Sequence, residues 1–353
     1  MATDMRHPNG PQEGADRSPR DLSFEQTVPR SLVHRAALGE VYVADSLQSG
    51  DGEFVLAIQI PRAHCVWFDR RVPYHDPLST AEAARQGVYV VVHRYLGVPD
   101  GLPFSLQRLE LRVEDLESYR DRASPLQGLL SLRLVEQTRN AGASGTMTFA
   151  GSISVDGTVA MAMRGDLVFL SLDDYTALRA YHRRRNPPET APPAATGPGL
   201  EAAAVGRLDR RNSVLGEPAV DGPADGHADG HADASADGAV RYPVIVDRGH
   251  PSFFDHGYDH APGPLLVEAY RQAAIVTAHR TGALPSPVAA LTRCQAAFTH
   301  FAELDARIEC SAIVDERFED GRVGVRVGLL QFGKEIATGH IELAPYPDGT
   351  PVS

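Results

Sequence analysis

Glu268, Arg271 and Gln272 stand at i, i+3 and i+4 within "HAPGPLLVEAYRQAA", residues 260–274. On an α-helix that spacing puts a carboxylate, a guanidinium and an amide on one face. Their neighbours are apolar, so the face has little water to meet, and a buried carboxylate needs a cation or donors. Carboxylates held in this way are enriched where protons move, which points to general acid–base work or orientation of a polar substrate. A solvated Glu–Arg pair is the plainer reading, and the flanking "LLVEAYRQAAIVTA" offers it no solvated face. An altered copy, Glu82, Arg85 and Gln86, recurs in "HDPLSTAEAARQGV" at 75–88.

The copy extends well beyond the triad. At a constant offset of 186, residues 62–100 match 248–286 at 12 of 39 positions, including Arg62/Arg248, His64/His250, Asp69/Asp255 and His93/His279. Polar identities in one register mark an internal duplication. Each half has the same element order. "LGEVYVADS" and "GEFVLAIQIP" alternate as strands, a helix runs from about Leu78 to Leu96 with Ser79 or Thr80 as its cap, and four more strand-like segments follow. The second half offers "YPVIVD", a helix from about Pro264 to Thr281, then four strand segments ending in "EIATGHIELAP". A helix apolar over most of its circumference must be buried, so each half should be a sheet wrapped around its helix.

The 353 residues suggest two fused units. Residues 187–240 are rich in Ala, Pro, Gly and Asp and read as a linker, with a short strand conceivable at 204–215. Removing residues 216–238 is expected to leave activity intact. His227 and His231 in that tract lack the preorganisation a metal needs, so no metal is expected. The polar N-terminus carries no apolar signal region and reads as a disordered leader. Cys65, Cys294 and Cys310, odd in number and without CxxC spacing, read as reduced thiols of a cytoplasmic protein. A net charge of −12 argues against nucleic-acid binding, and no apolar run reaches membrane-spanning length. The basic run "HRRRN" at 182–186 reads as a solvated helix end, or else as a docking spot for an acidic partner.

"PGPLLVEAYRQ" resembles the Pro-Gly…Glu-Ala-x-x-Gln signature of hotdog dehydratases acting on acyl carrier protein thioesters. With "VPRSLVHRAALGEVYVAD", "PRAH", "VHRYLGVP" and "HPSFFDHGYDH", the chain resembles the A-factor synthase family, tandem-hotdog proteins of γ-butyrolactone signal biosynthesis in actinomycetes. The resemblance implies an α+β double hotdog, each half a long central helix wrapped by an antiparallel sheet. On that basis residues 1–26 are leader, 27–186 hotdog domain 1, 187–240 linker and 241–347 hotdog domain 2. The two sheets are expected to pair edge to edge, with acyl chains entering between the helices. The implied reaction moves a β-ketoacyl group from an acyl carrier protein thioester to a hydroxyl of dihydroxyacetone phosphate, with no cofactor.

Under that resemblance the Pro262-Gly263 step supplies backbone N–H groups to the thioester oxyanion. Glu268 deprotonates or orients the hydroxyl, Arg271 neutralises it or binds phosphate, and Gln272 fixes the carboxylate. His256 lies near the place of the dehydratases' catalytic histidine, two residues closer to the glutamate, with Asp259 or His260 as substitutes. The first copy departs from the pattern: Asp76-Pro77 replaces Pro262-Gly263, and Arg70 stands where His256 does. Glu82, Arg85 and Gln86 are therefore expected to bind substrate or hold the interface between halves. The sequence has no GxSxG, P-loop or HExxH, which favours direct transfer without a covalent enzyme intermediate. A dehydratase or thioesterase on carrier-bound chains, or a non-catalytic acyl-binding regulator, are the rival readings.

Overall fold

A computed structural model describes residues 17–139, 144–218 and 238–347. In the first half, β1 (Val43–Gly50) and β2 (Glu53–Ile60) precede helix α1 (Pro77–Arg94). Strands β3 (Phe104–Val113), β4 (Leu126–Arg139), β5 (Gly145–Val155) and β6 (Thr158–Phe169) follow, then helix α2 (Leu172–Arg185). The second half runs β7 (Val240–Pro243), α3 (Gly263–Arg280), β8 (Ala290–Phe298), β9 (Glu309–Arg317), β10 (Val323–Gln331) and β11 (Lys334–Ala344).

All eleven strands form one antiparallel sheet in the order β1-β2-β4-β5-β6-β3-β8-β11-β10-β9-β7. The halves meet edge to edge at β3 and β8, from Arg108 opposite Ala297 to Arg112 opposite Arg293. That pairing satisfies two sheet edges at once, as expected. Each half folds its strands over its own helix, the double hotdog arrangement. In α3 every residue from Leu265 to Ala278 is buried, so its polar triad has no solvent face at all.

The helix starts differ. Asp76 caps α1 by accepting the N–H of Leu78, with Pro77 in the first turn. Ser79 and Thr80, expected as caps, instead donate to the carbonyls of Asp76 and Pro77. At α3 the N-cap is Pro262, which offers no capping side chain.

Two segments expected to be unstructured are folded. Residues 17–26 lie along β1, where Leu22 packs with Ala44, Leu47 and Val55, and Arg17 pairs with Asp45. Residues 187–218 wrap the second half. They bridge at Pro193–Ala306, Ala195–Ile245 and Leu215–Val244, and bury Leu200, Val205, Arg207 and Asn212. Composition misled here because the local Pro/Gly content masks a few apolar residues and one arginine that find partners only in three dimensions. Residues 1–16 and 219–237, with His227 and His231, lie outside the described residues.

Candidate functional site

Both triads form, and each is completed by an arginine from an earlier segment. Glu268 Oε1 accepts from Arg207 Nε (3.0 Å), Arg271 Nη2 (2.6 Å) and Gln272 Nε2 (2.6 Å). Its Oε2 accepts from Arg207 Nη2 and Arg271 Nε, each at 2.9 Å. Around Glu82 the same places are filled by Arg35 (2.5 Å), Arg85 and Gln86 (each 2.8 Å). Burial alone would raise both carboxyls. The paired guanidinium groups outweigh it, holding Glu268 at about 2 and Glu82 well below the usual carboxylate range. Gln86 and Gln272 repeat the match further, bridging Glu40 O to Tyr42 N and Asn212 O to Val214 N.

Surroundings separate the copies. Beside Glu82 lies a largely apolar cavity of about 300 Å³, walled by Glu82, Arg85 and Tyr89 of α1 and by Leu132, Phe149 and Leu167 of strands β4, β5 and β6. Its other wall is His256, Tyr258, His260 and the Pro262-Gly263 start of α3. Beside Glu268 only about 30 Å³ remains, because Arg70, Tyr74, Asp76 and Tyr346 fill the equivalent space. Asp76 reaches Arg207 at 3.3 Å, and the Tyr74 and Tyr346 rings lie 5.0 Å apart. Position 34 adds to the contrast: His34 stacks on Tyr89 at 4.5 Å, whereas its counterpart Gly206 is left-handed at φ 75°, and a Cβ there would meet the Pro287 carbonyl at 2.9 Å.

The structure therefore corrects the expected cast. Glu268, Arg271 and Gln272 do not line the cavity, and every Glu268 acceptor position is taken, so this carboxylate is no free base. Gln86 is also buried away from the cavity wall. Glu82, Arg85, His256, His260 and Gly263 do come together on it. His256 Nδ1 lies 3.2 Å from Asp255, whose carboxylate also accepts the N–H groups of Ala36 and Ala37. Burial raises Asp255, but those two N–H groups prevail and keep it ionised. Asp259 stands outside the wall, held by Tyr175, His260 and Arg179. Gly263, in the uncapped first turn of α3, presents its N–H with open space around its Cα.

A look-alike of a nucleophilic triad sits between the halves. Ser252 Oγ is 2.8 Å from Glu40 and 3.3 Å from His64 Nε2. Yet His64 Nδ1 accepts the N–H groups of Val66 and Trp67, so Nε2 carries the proton and points it to Glu40 at 3.0 Å. This imidazole cannot take a proton from Ser252. Its copy His250 is held the same way, with Nδ1 on Ser252 and Phe253 N–H and Nε2 on Asn212 Oδ1.

Arg35 and Arg207 escaped the sequence reading, as did Tyr89 and Tyr258. A signal existed. Val33-x-Arg35 and Val205-x-Arg207 repeat at an offset of 172 (35 to 207), not 186 (82 to 268), so only a gapped comparison aligns them.

Burial pushes the imidazoles of His34, His75 and His250 down to about 4. A histidine depressed in the fold contributes stability that is present above its unfolded value near 6.5 and is lost as pH falls through 4. Chemical denaturation between pH 7 and 4 is expected to show a loss on the order of several kcal/mol over that window. A flat profile down to pH 4.5 would contradict it.

The model of the A-factor biosynthesis hotdog domain matches residues 17–171 and again 193–347. A protein of Streptomyces virginiae named 2-oxo-3-(phosphooxy)propyl 3-oxoalkanoate synthase is 30% identical over 280 residues, covering 79% of this chain and 84% of that one. One of the same name from Streptomyces coelicolor is 30% identical over 316 residues, covering 86% and 88%. Among solved structures, a 12:0-ACP thioesterase from Umbellularia californica overlays at TM-score 0.46 with 11% identity, over 83% of this chain and 94% of that one. Among the described residues no helix is long and apolar enough to cross a membrane. Matched in both halves by one domain model, the chain belongs to the A-factor biosynthesis hotdog family.

Proposed function

We propose that the protein transfers a β-ketoacyl group from a carrier-protein thioester to a hydroxyl of dihydroxyacetone phosphate. The observation that carries the reading is that the space beside Glu82 is open, about 300 Å³ and largely apolar, with His256, Arg85 and Gly263 in its wall, whereas the equivalent space beside Glu268 is closed to about 30 Å³. The relatives' name, which describes a phosphooxypropyl ester of a 3-oxoalkanoate, supports the same pair of reactants.

In this mechanism the acyl chain occupies the apolar cavity and its thioester carbonyl faces the start of α3. His256, held through Nδ1 by ionised Asp255, accepts the proton of the attacking hydroxyl. The new C–O bond forms at the carbonyl carbon, and the Gly263 N–H stabilises the oxyanion. As the C–S bond breaks, the sulfur leaves with the proton that His256 gained. The products are the ester and a free carrier thiol. Arg85, whose partner Glu82 is shared with Arg35, leaves the cluster one positive charge in excess, which suits a substrate phosphate.

Incubation with a β-ketoacyl thioester, with and without dihydroxyacetone phosphate, followed by mass spectrometry, tests the proposal. The phosphorylated ester is the expected product; thiol release indifferent to the alcohol would mean hydrolysis instead. Arg85→Met is expected to raise KM for dihydroxyacetone phosphate by about 10–100-fold, the worth of one charge-assisted hydrogen bond. KM for the acyl donor should move little. Equal rises in both would remove Arg85 from phosphate binding.

A further inference from the structure

Helix α2 has no counterpart among the described residues of the second half, although nearly every other element is duplicated. It is fastened beside the open cavity. Arg179, buried, binds Glu303 at 2.6 and 2.9 Å and Asp259 at 3.0 Å, and Tyr175 donates to Asp259 at 2.8 Å. The segments so gripped, around His260 and Phe301, are cavity wall. Of the residues lining that cavity, Arg164 and His300 are the exposed ones. His300 lies 5.6 Å from His182 in the last turn of α2.

That last turn reads His182-Arg183-Arg184-Arg185, with all three arginines exposed. Lys334 joins them, donating to Asn186 at 3.1 Å. Cations at a helix C-terminus gain from its dipole, which is reason enough for one or two. It does not account for four cationic side chains on and beside one helix turn next to His300 of the cavity wall, in a chain of net charge −12. Arg183 leans on Glu303 at 3.3 Å and Arg185 on the Tyr181 hydroxyl at 2.6 Å, while no carboxylate contacts Arg184 among the described residues.

We infer that the C-terminal turn of α2, with Lys334, is the docking surface for an acidic acyl carrier protein, which delivers its thioester arm past His300 into the cavity. The inference rests on the proposed donor. Charge complementarity at this turn sets encounter rate and orientation, and acts through a surface that touches no reacting atom.

The test is binding and turnover measured side by side, using full-length protein and a type II fatty-acid carrier protein bearing a β-ketooctanoyl pantetheine. In the Arg184→Glu, Arg185→Glu double variant the Kd by fluorescence anisotropy is expected to weaken at least tenfold. The parent's Kd should weaken steeply from 50 to 300 mM salt. KM for the carrier-bound donor should rise in parallel, with turnover of the small N-acetylcysteamine thioester unchanged, which also reports an intact fold. A Kd within twofold of the parent overturns the docking surface, as does equal damage to both donors. Failure of the parent to turn over either donor would instead count against the proposed reaction, and the Kd comparison would still decide the docking.

Discussion

His256→Gln is expected to lower kcat by about 10²–10⁴-fold, the usual cost of removing a positioned base. The fold should survive, because the His256 side chain is 35% exposed and its one hydrogen bond among the described residues is to Asp255. Asp255 itself keeps the N–H groups of Ala36 and Ala37, so the loop retains its anchor. Tyr258, with its ring 4.2 Å from the imidazole, keeps one wall of the cavity in place. Thermal melts should therefore overlay those of the parent while product formation collapses. Activity retained within threefold would shift the base to another group on the wall, with His260 the first to examine.

Glu268→Ala is expected to do the opposite. Removing it strands Arg207 and Arg271 in the interior without their shared carboxylate, a loss of about 3–5 kcal/mol. Arg207 also donates to the carbonyls of Val66 and Asp69, so the damage spans both halves. Turnover per folded molecule, measured at low temperature, should stay within a few-fold of the parent. Urea denaturation alongside active-fraction assays separates the two quantities. A variant of parental stability that loses more than 10² in turnover would return Glu268 to the chemistry.

The internal repeat owes its identities mainly to packing. Asp69 accepts the N–H groups of Leu208 and Asp209, as Asp255 accepts those of Ala36 and Ala37, each aspartate holding the opposite half. His93 and His279 lie against the carbonyls of Val98 and Leu284 just past their helices. Most of the shared residues thus hold the frame, and the base and oxyanion donor proposed for the reaction stand where the copies differ: His256 against Arg70 and Gly263 against Pro77.

The amino-acid order alone determined the duplication, the order of strands and central helices, the burial of α1 and α3 and the pairing within each triad, because all of these follow from local spacing and hydrophobic period. Helix α2, largely exposed and weakly periodic, was legible only at its basic end. The amino-acid order left undecided which of the two carboxylates, Glu82 or Glu268, has open space beside it. That depends on whether Tyr74 and Tyr346, more than 250 residues apart in the chain, fill the space beside one carboxylate. It also left Arg207 in a segment whose composition reads as tether, since a buried charge is recognised only by the partner it meets. Local pattern carries the framework; vacancy and charge pairing are properties of the packed whole.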